Sequence, residues 1–171
     1  NRAVEFLPSD EQIDERRAAG IGLTSPERAV LLAYSKMVLF DQLIASNLID
    51  DEYVSDALVE YFPVALRERY ASVMLRHPLK REIIATVMTN SMINRTGSVF
   101  NYRMQQETGA PASDVVKAYM LVRDIFEFSP LWAAVEDMDR KVPAQIQNEI
   151  LIDAGRLMLR AVLWFLREHH D

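Results

Sequence analysis

The most specifically spaced polar residues in this chain are amides, not acids, bases or thiols. Thr86, Asn90 and Asn94 fall at i, i+4 and i+8 of a segment that reads as one helix from Leu79 to Arg95, beside Ile83, Ile84, Val87 and Met88, so the three share a face. Asn is a poor interior-helix residue because its side-chain amide competes for backbone partners, and two at this spacing predict hydrogen bonds made somewhere specific. The spacing leaves three destinations open: water, a self-satisfied internal network, or a docking face for another domain. Arg95 closes the segment, and Asn101 and Arg103 follow shortly after. A guanidinium fork can clamp a carboxylate bidentately across an interface, whereas surface pairing with Glu107 or a similar acid is the simpler use of such arginines. Thr86, Asn90, Asn94, Arg95, Asn101 and Arg103 are therefore the candidate interdomain contact.

Other chemistries lack their parts. Without cysteine there is no disulfide, iron–sulfur cluster, thiolate zinc site or cysteine nucleophile. The three histidines are His77, beside a proline break, and His169-His170 at the end of the chain, and no Glu-x-x-His pair supplies a carboxylate-bundle metal site. The terminal pair reads as a frayed end or a remnant of expression, not a ligand set. Gly20-Ile21-Gly22 is the tightest glycine pair, but Ser25 stands where a third glycine would fall and no strand pattern precedes it, so a dinucleotide loop is not indicated. There is no Gly-x-Ser-x-Gly, and acid pairs such as Asp50-Asp51 and Glu136-Asp137 read as solvated carboxylates. No catalytic, cofactor-binding or metal-ligating residue is assigned.

These residues must be positioned by helices, because the punctuation along the chain belongs to helices almost throughout. Ser9-Asp10-Glu11-Gln12 and Thr24-Ser25-Pro26-Glu27 are capping-box patterns, predicting a first helix over roughly 10–19 and a second from the Pro26 region to about Ser46. In that second helix only Ser35, Lys36, Asp41 and Gln42 make a polar face, which predicts a central helix buried on most sides. Asp50 or Asp51 is expected to cap a third helix over Glu52 to Tyr61, and Pro63 to start a fourth through Leu75. A break at Thr96-Gly97, a helix over Val99 to Glu107 stopped by Gly109, and starts at Pro111, Pro130 behind a Ser129 cap, and Pro143 complete the pattern. The last segment, from Pro143 to about His169, is long enough to span the domain. The fold class expected is all-α: a single multi-helix bundle of about eight or nine helices with a long C-terminal helix.

Length and charge bound the rest. A chain of 171 residues, 50% apolar, can bury one sizeable core. Its 25 acidic against 19 basic residues, net −6, argue against a general nucleic-acid binder or a binder of anionic membranes. No run approaches the eighteen or more uninterrupted apolar residues of a membrane span. The opening Asn1-Arg2, with neither an initiator Met nor a signal segment, reads as the start of an excised piece of a longer protein.

Several stretches resemble a known family. LKREIIATVMTNSMINRTG over Leu79 to Gly97, followed by FNYRMQQETGA over Phe100 to Ala110, resembles the C-terminal helical region of the large bacterial NAD-specific glutamate dehydrogenases. Further likeness lies over Leu7 to Met37, in YFPVALRER over Tyr61 to Arg69, and in LWAAVEDMD over Leu131 to Asp139, so the resemblance covers nearly the whole chain. It implies that residues 1–171 are one helical domain of a larger enzyme that oxidises L-glutamate to 2-oxoglutarate and ammonia, passing hydride to NAD. In the family the catalytic segment precedes this region, so no cofactor is expected in this piece. The partner implied is its own catalytic domain or a neighbouring subunit, within a cytoplasmic homo-oligomer.

Two rival readings set the comparison. An all-α transcriptional regulator with a helix-turn-helix would need a recognition helix rich in basic and amide residues, and short segments such as Val64 to Leu75 or Pro111 to Phe126 carry only a few basic residues each. A regulatory pocket in the core is also open to Met88, Met92, Phe100, Tyr119, Phe126 and Trp164, which at helical spacing are more simply core.

Overall fold

A computed structural model describes residues 4–5 and 7–168, so His169 and His170 lie outside the described residues. Among the described residues there are nine α-helices, two short 3-10 turns and no strand, in agreement with the all-α expectation. The helices are α1 (Asp10–Ala18), α2 (Ser25–Ile44), α3 (Asp56–Tyr61), α4 (Val64–Met74), α5 (Lys80–Thr96), α6 (Phe100–Thr108), α7 (Ala112–Ile125), α8 (Phe128–Glu136) and α9 (Ala144–Glu168). None is long and apolar enough to cross a membrane.

Local chemistry accounts for most of the boundaries. Both capping boxes form: the Ser9 hydroxyl accepts from the Gln12 N–H while the Gln12 side chain accepts from the Ser9 N–H, and Thr24 and Glu27 repeat the exchange. Glu27 does more than cap. Its two carboxylate oxygens accept from Arg16 Nη1 at 2.9 and 2.7 Å, and the Arg16 and Thr24 donors hold its carboxyl below the usual carboxylate range. Helix α1 has no fully buried side chain, and this pair ties it to the start of α2. Gly109, at φ 75°, ends α6 in the left-handed conformation, with its N–H donating to the Gln105 carbonyl.

The centre of the molecule is α5 and α7, not α2. Ile84, Ala85, Met88, Thr89, Met92 and Ile93 of α5 are buried, as are Val115, Val116, Ala118, Tyr119, Met120 and Val122 of α7. Helix α2 lies along α5, α3 packs on α5, α9 lies along α7, and α8 touches both α7 and α9. On α2 only Glu27, Leu39 and Leu43 are buried, and Met37 and Val38 remain 59% and 53% exposed. The expected central helix is thus a peripheral one: its apolar residues run round most of the cylinder, but α5, with α7 and Asn101 of α6 beside it, leaves Met37 and Val38 uncovered.

Two other expectations are corrected. The helix predicted over Glu52 to Tyr61 is split into a 3-10 turn at Glu52–Val54 and the short α3. Asp51 caps that turn through the Tyr53 N–H, and the Ser55 hydroxyl donates back to the Glu52 carbonyl, satisfying a group that a continuous helix would use. The helix predicted from Ser129-Pro130 begins earlier, at Phe128, because Glu127 takes a left-handed conformation (φ 53°) and reverses the chain after α7. Ser129 and Pro130 then lie inside the first turn, where proline's missing N–H leaves no helical bond unmade. The C-terminal α9 is long as expected, at 25 residues.

Candidate functional site

Helix α5 positions the amide stripe, and its register decides what the stripe meets. With Ile84, Met88 and Met92 turned into the core, Thr86, Asn90 and Asn94 come out on the opposite side. Asn90 is half-buried, and Thr86 and Asn94 are exposed. The Thr86 hydroxyl donates to the Glu82 carbonyl one turn back, at 2.7 Å. The side-chain amides of Asn90 and Asn94 make no hydrogen bond among the described residues, so the stripe is an outward-facing ridge and not an internal network.

A groove opens on either side of that ridge. On one side, a groove of about 530 Å³ is bordered by Asn90, Asn94, Arg95, Arg123, Trp132 and Glu136, with Tyr61 at its edge. On the other, about 380 Å³ lies between α2 and α5, bordered by Lys36, Met37, Phe40 and Asp41. Thr86 and Asn90 line both. The second groove also includes Thr89, whose buried hydroxyl has no hydrogen-bond partner among the described residues.

Arg95 sits at the end of the ridge and is held from two sides. Its guanidinium lies over the Trp132 ring, 4.6 Å from the centroid, and Nη2 donates to Glu136 Oε1 at 2.9 Å. Contacts of this kind are worth about 0.5–1 kcal/mol at partly exposed sites. They leave most of the five N–H donors of Arg95 uncommitted and fix the plane in which those donors point.

Four of the six sequence candidates therefore lie together: Thr86, Asn90, Asn94 and Arg95 share one groove. The other two are spent elsewhere. Arg103 Nε donates to Glu107 Oε1 at 2.6 Å, an i,i+4 pair on the surface of α6. Asn101 is buried against α2, where its Nδ2 donates to Gln42 Oε1 at 3.3 Å and its Oδ1 has no partner among the described residues.

Sequence reasoning did not single out the polar cluster behind the first groove. Tyr119, fully buried, donates from its hydroxyl to the Ser91 carbonyl at 3.0 Å. Burial pushes its pKa up, opposed by the hydrogen bond to Ser91. Beside it, Arg123 Nε donates to Asp124 Oδ1 at 2.7 Å and the Tyr53 hydroxyl donates to Asp124 Oδ2 at 2.5 Å. Burial raises the Asp124 pKa, but the Arg123 and Tyr53 donors outweigh it and the carboxyl sits below its usual range. Tyr53 is pushed up to about 12, by burial first and then by the carboxylate it donates to. Every charge in this cluster is paired within it, so it reads as a clasp between the 52–54 turn and α7.

The chemistry available at the ridge is recognition: amide and guanidinium donors between apolar flanks. Of the residues offered as a core pocket, Met88, Met92, Phe100 and Tyr119 are buried in the core, while Phe126 and Trp164 are 46% and 56% exposed. No group of three or more His, Cys, Asp or Glu that could hold a metal ion occurs among the described residues. His77 sits in the turn before α5, where its Nδ1 accepts from the Leu79 N–H.

Comparison with known proteins agrees with the sequence resemblance. The family described as "Glutamate dehydrogenase, C-terminal" matches residues 20–171. The chain is 42% identical over 168 residues to an NAD-specific glutamate dehydrogenase of Halomonas elongata, covering 98% of this chain and 10% of that protein. It is 42% identical over 171 residues to the NAD-specific glutamate dehydrogenase of Pseudomonas aeruginosa (100% and 11%). With that of Mycobacterium tuberculosis the identity is 35% over 166 residues (97% and 10%). The chain thus spans about a tenth of the length of these relatives. On this family match and these identities, the chain belongs to the glutamate dehydrogenase C-terminal domain family.

Proposed function

We propose that this chain is a non-catalytic helical domain of an NAD-dependent glutamate dehydrogenase, and that it docks through the α5 ridge onto its own catalytic region or a neighbouring subunit. The parent reaction converts L-glutamate, NAD and water to 2-oxoglutarate, ammonium and NADH, in a cytoplasmic homo-oligomer. The observation that carries the docking reading is the ridge itself. Asn90 and Asn94 make no side-chain hydrogen bond among the described residues; both border the first groove and Asn90 the second as well, flanked by Met37, 59% exposed, and Tyr61, 58% exposed. A partner laid across the ridge covers the apolar flanks, and its backbone or carboxylates pair with the amides and with Arg95.

The reading is tested in the intact parent with Asn90→Ala and Asn94→Ala combined. Neither amide makes a hydrogen bond among the described residues and alanine is the better helix former, so the stability of the 171-residue chain should hold or rise by up to about 1 kcal/mol. In the parent, glutamate-dependent NAD reduction or assembly state should be impaired, with docking weakened about tenfold or more. If parent activity and assembly are both unchanged, the ridge is not the contact.

A further inference from the structure

Helix α9 leaves one flank uncovered. Ala154, Met158, Val162 and Leu166 face the core, while Ile150, partly buried, and Leu157 and Trp164, both exposed, recur every seven residues along an outer flank that Ile146 extends by one turn towards the N-terminus. At 1.5 Å per residue, the strip from Ile146 to Trp164 is about 27 Å long. Ile146, Leu157 and Trp164 are 45%, 46% and 56% exposed. An apolar row of this length left open to water along a helix is a surface that another helix can cover.

The charges beside the strip indicate which helix and which direction. The N-terminal half carries Glu149 and Asp153, and the C-terminal half carries Arg156, Arg160 and Arg167 against the single acid Glu168, all exposed, so the two halves differ in net sign. Arg156 pairs with Asp153 along the helix at 2.8 Å, while Arg160 and Arg167 have no ion pair among the described residues. Laid parallel on a second copy, like charge would meet like. Laid antiparallel about a two-fold axis near Leu157, the acidic half of each helix faces the basic half of the other. Asp153 then falls opposite Arg160, and Ile150 opposite Trp164. Such a surface is self-complementary, as a two-fold contact requires.

We propose that α9 is a self-association surface, on which two copies of this chain pair antiparallel through Ile150, Leu157 and Trp164, with Asp153 set against Arg160. The inference is independent of the α5 ridge. One helix pair of this length buries less than the roughly 1,600 Å² of a standard interface, so the pairing is weak and its dissociation constant lies in the micromolar range.

Sedimentation velocity over a concentration series of the 171-residue chain tests it, with circular dichroism melts to confirm that each variant is folded. The chain should show a reversible monomer–dimer equilibrium. Leu157→Glu should raise the dissociation constant about tenfold or more, while Ile152→Glu, on the other flank of α9, should leave it unchanged. Asp153→Arg alone should weaken the dimer, and Asp153→Arg combined with Arg160→Asp should restore it to within about twofold, since only antiparallel pairing brings these positions opposite each other. A chain that stays monomeric throughout, as it would if α9 instead held another part of the parent, overturns the proposal. So does a dimer indifferent to Leu157→Glu, or a double variant no tighter than Asp153→Arg.

Discussion

Phe128→Ala is expected to remove about 3–5 kcal/mol from the stability of the chain. Phe128 is 1% exposed at the first position of α8, and its ring lies 5.5 Å from that of Trp132 and 6.3 Å from that of Phe126. It is the side chain that anchors the reversal between α7 and α8, immediately after the left-handed Glu127. Truncation leaves a cavity that two rigid aromatic neighbours cannot collapse to fill, so the transfer and cavity costs add. At about 2–4 °C per kcal/mol for a chain of this size, the melting temperature should fall by roughly 10 °C. Phe126→Ala is the control: that ring is 46% exposed and should cost under about 1.5 kcal/mol. A thermal or urea melt in which the two variants behave alike would mean that α8 is not anchored by Phe128.

Gly97→Ala should cost about 1–3 kcal/mol, for a reason that has nothing to do with space. A Cβ at Gly97 would meet nothing within 4 Å. Its backbone, however, stands at φ 86° and ψ 172°, a region that is almost exclusively glycine's, and its N–H donates to the Ile93 carbonyl to close α5. Gly155 gives the contrasting case. It lies within α9 with an equally open surrounding and no positive φ, so Gly155→Ala should stabilise the chain by about 0.4–1 kcal/mol through the unfolded state. Opposite signs for two chemically identical substitutions are the expected result of chemical denaturation. Equal signs would show that the end of α5 is not held as described.

What could be read from the sequence divides by how local its cause is. The caps at Ser9 and Thr24 and the stop at Gly109 were legible because a side chain or a glycine a few residues away determines each of them. The placement of α2 was not, because apolar residues around most of a helix do not say which side a neighbour will cover. Glu127 carries no residue-type signal for its left-handed conformation, since glutamate is not a residue that favours positive φ. The same division holds at the ridge. Thr86, Asn90 and Asn94 share a face by spacing alone, whereas Trp132 and Glu136 reach Arg95 from about forty residues downstream, and Tyr61 borders the groove from α3. Asn101 and Arg103, close to the stripe in sequence, are directed elsewhere by the turn at Gly97 and the register of α6.

On the proposed function, this domain acts by being held against the rest of its enzyme and performs no chemistry of its own. The most direct measurement mixes the purified 171-residue chain with the parent lacking that segment, and follows binding and glutamate-dependent NAD reduction together. The prediction is saturable binding that Asn90→Ala with Asn94→Ala weakens about tenfold or more, with no reduction of NAD by the 171-residue chain alone. Turnover by the isolated chain, or binding that ignores both substitutions, would contradict it.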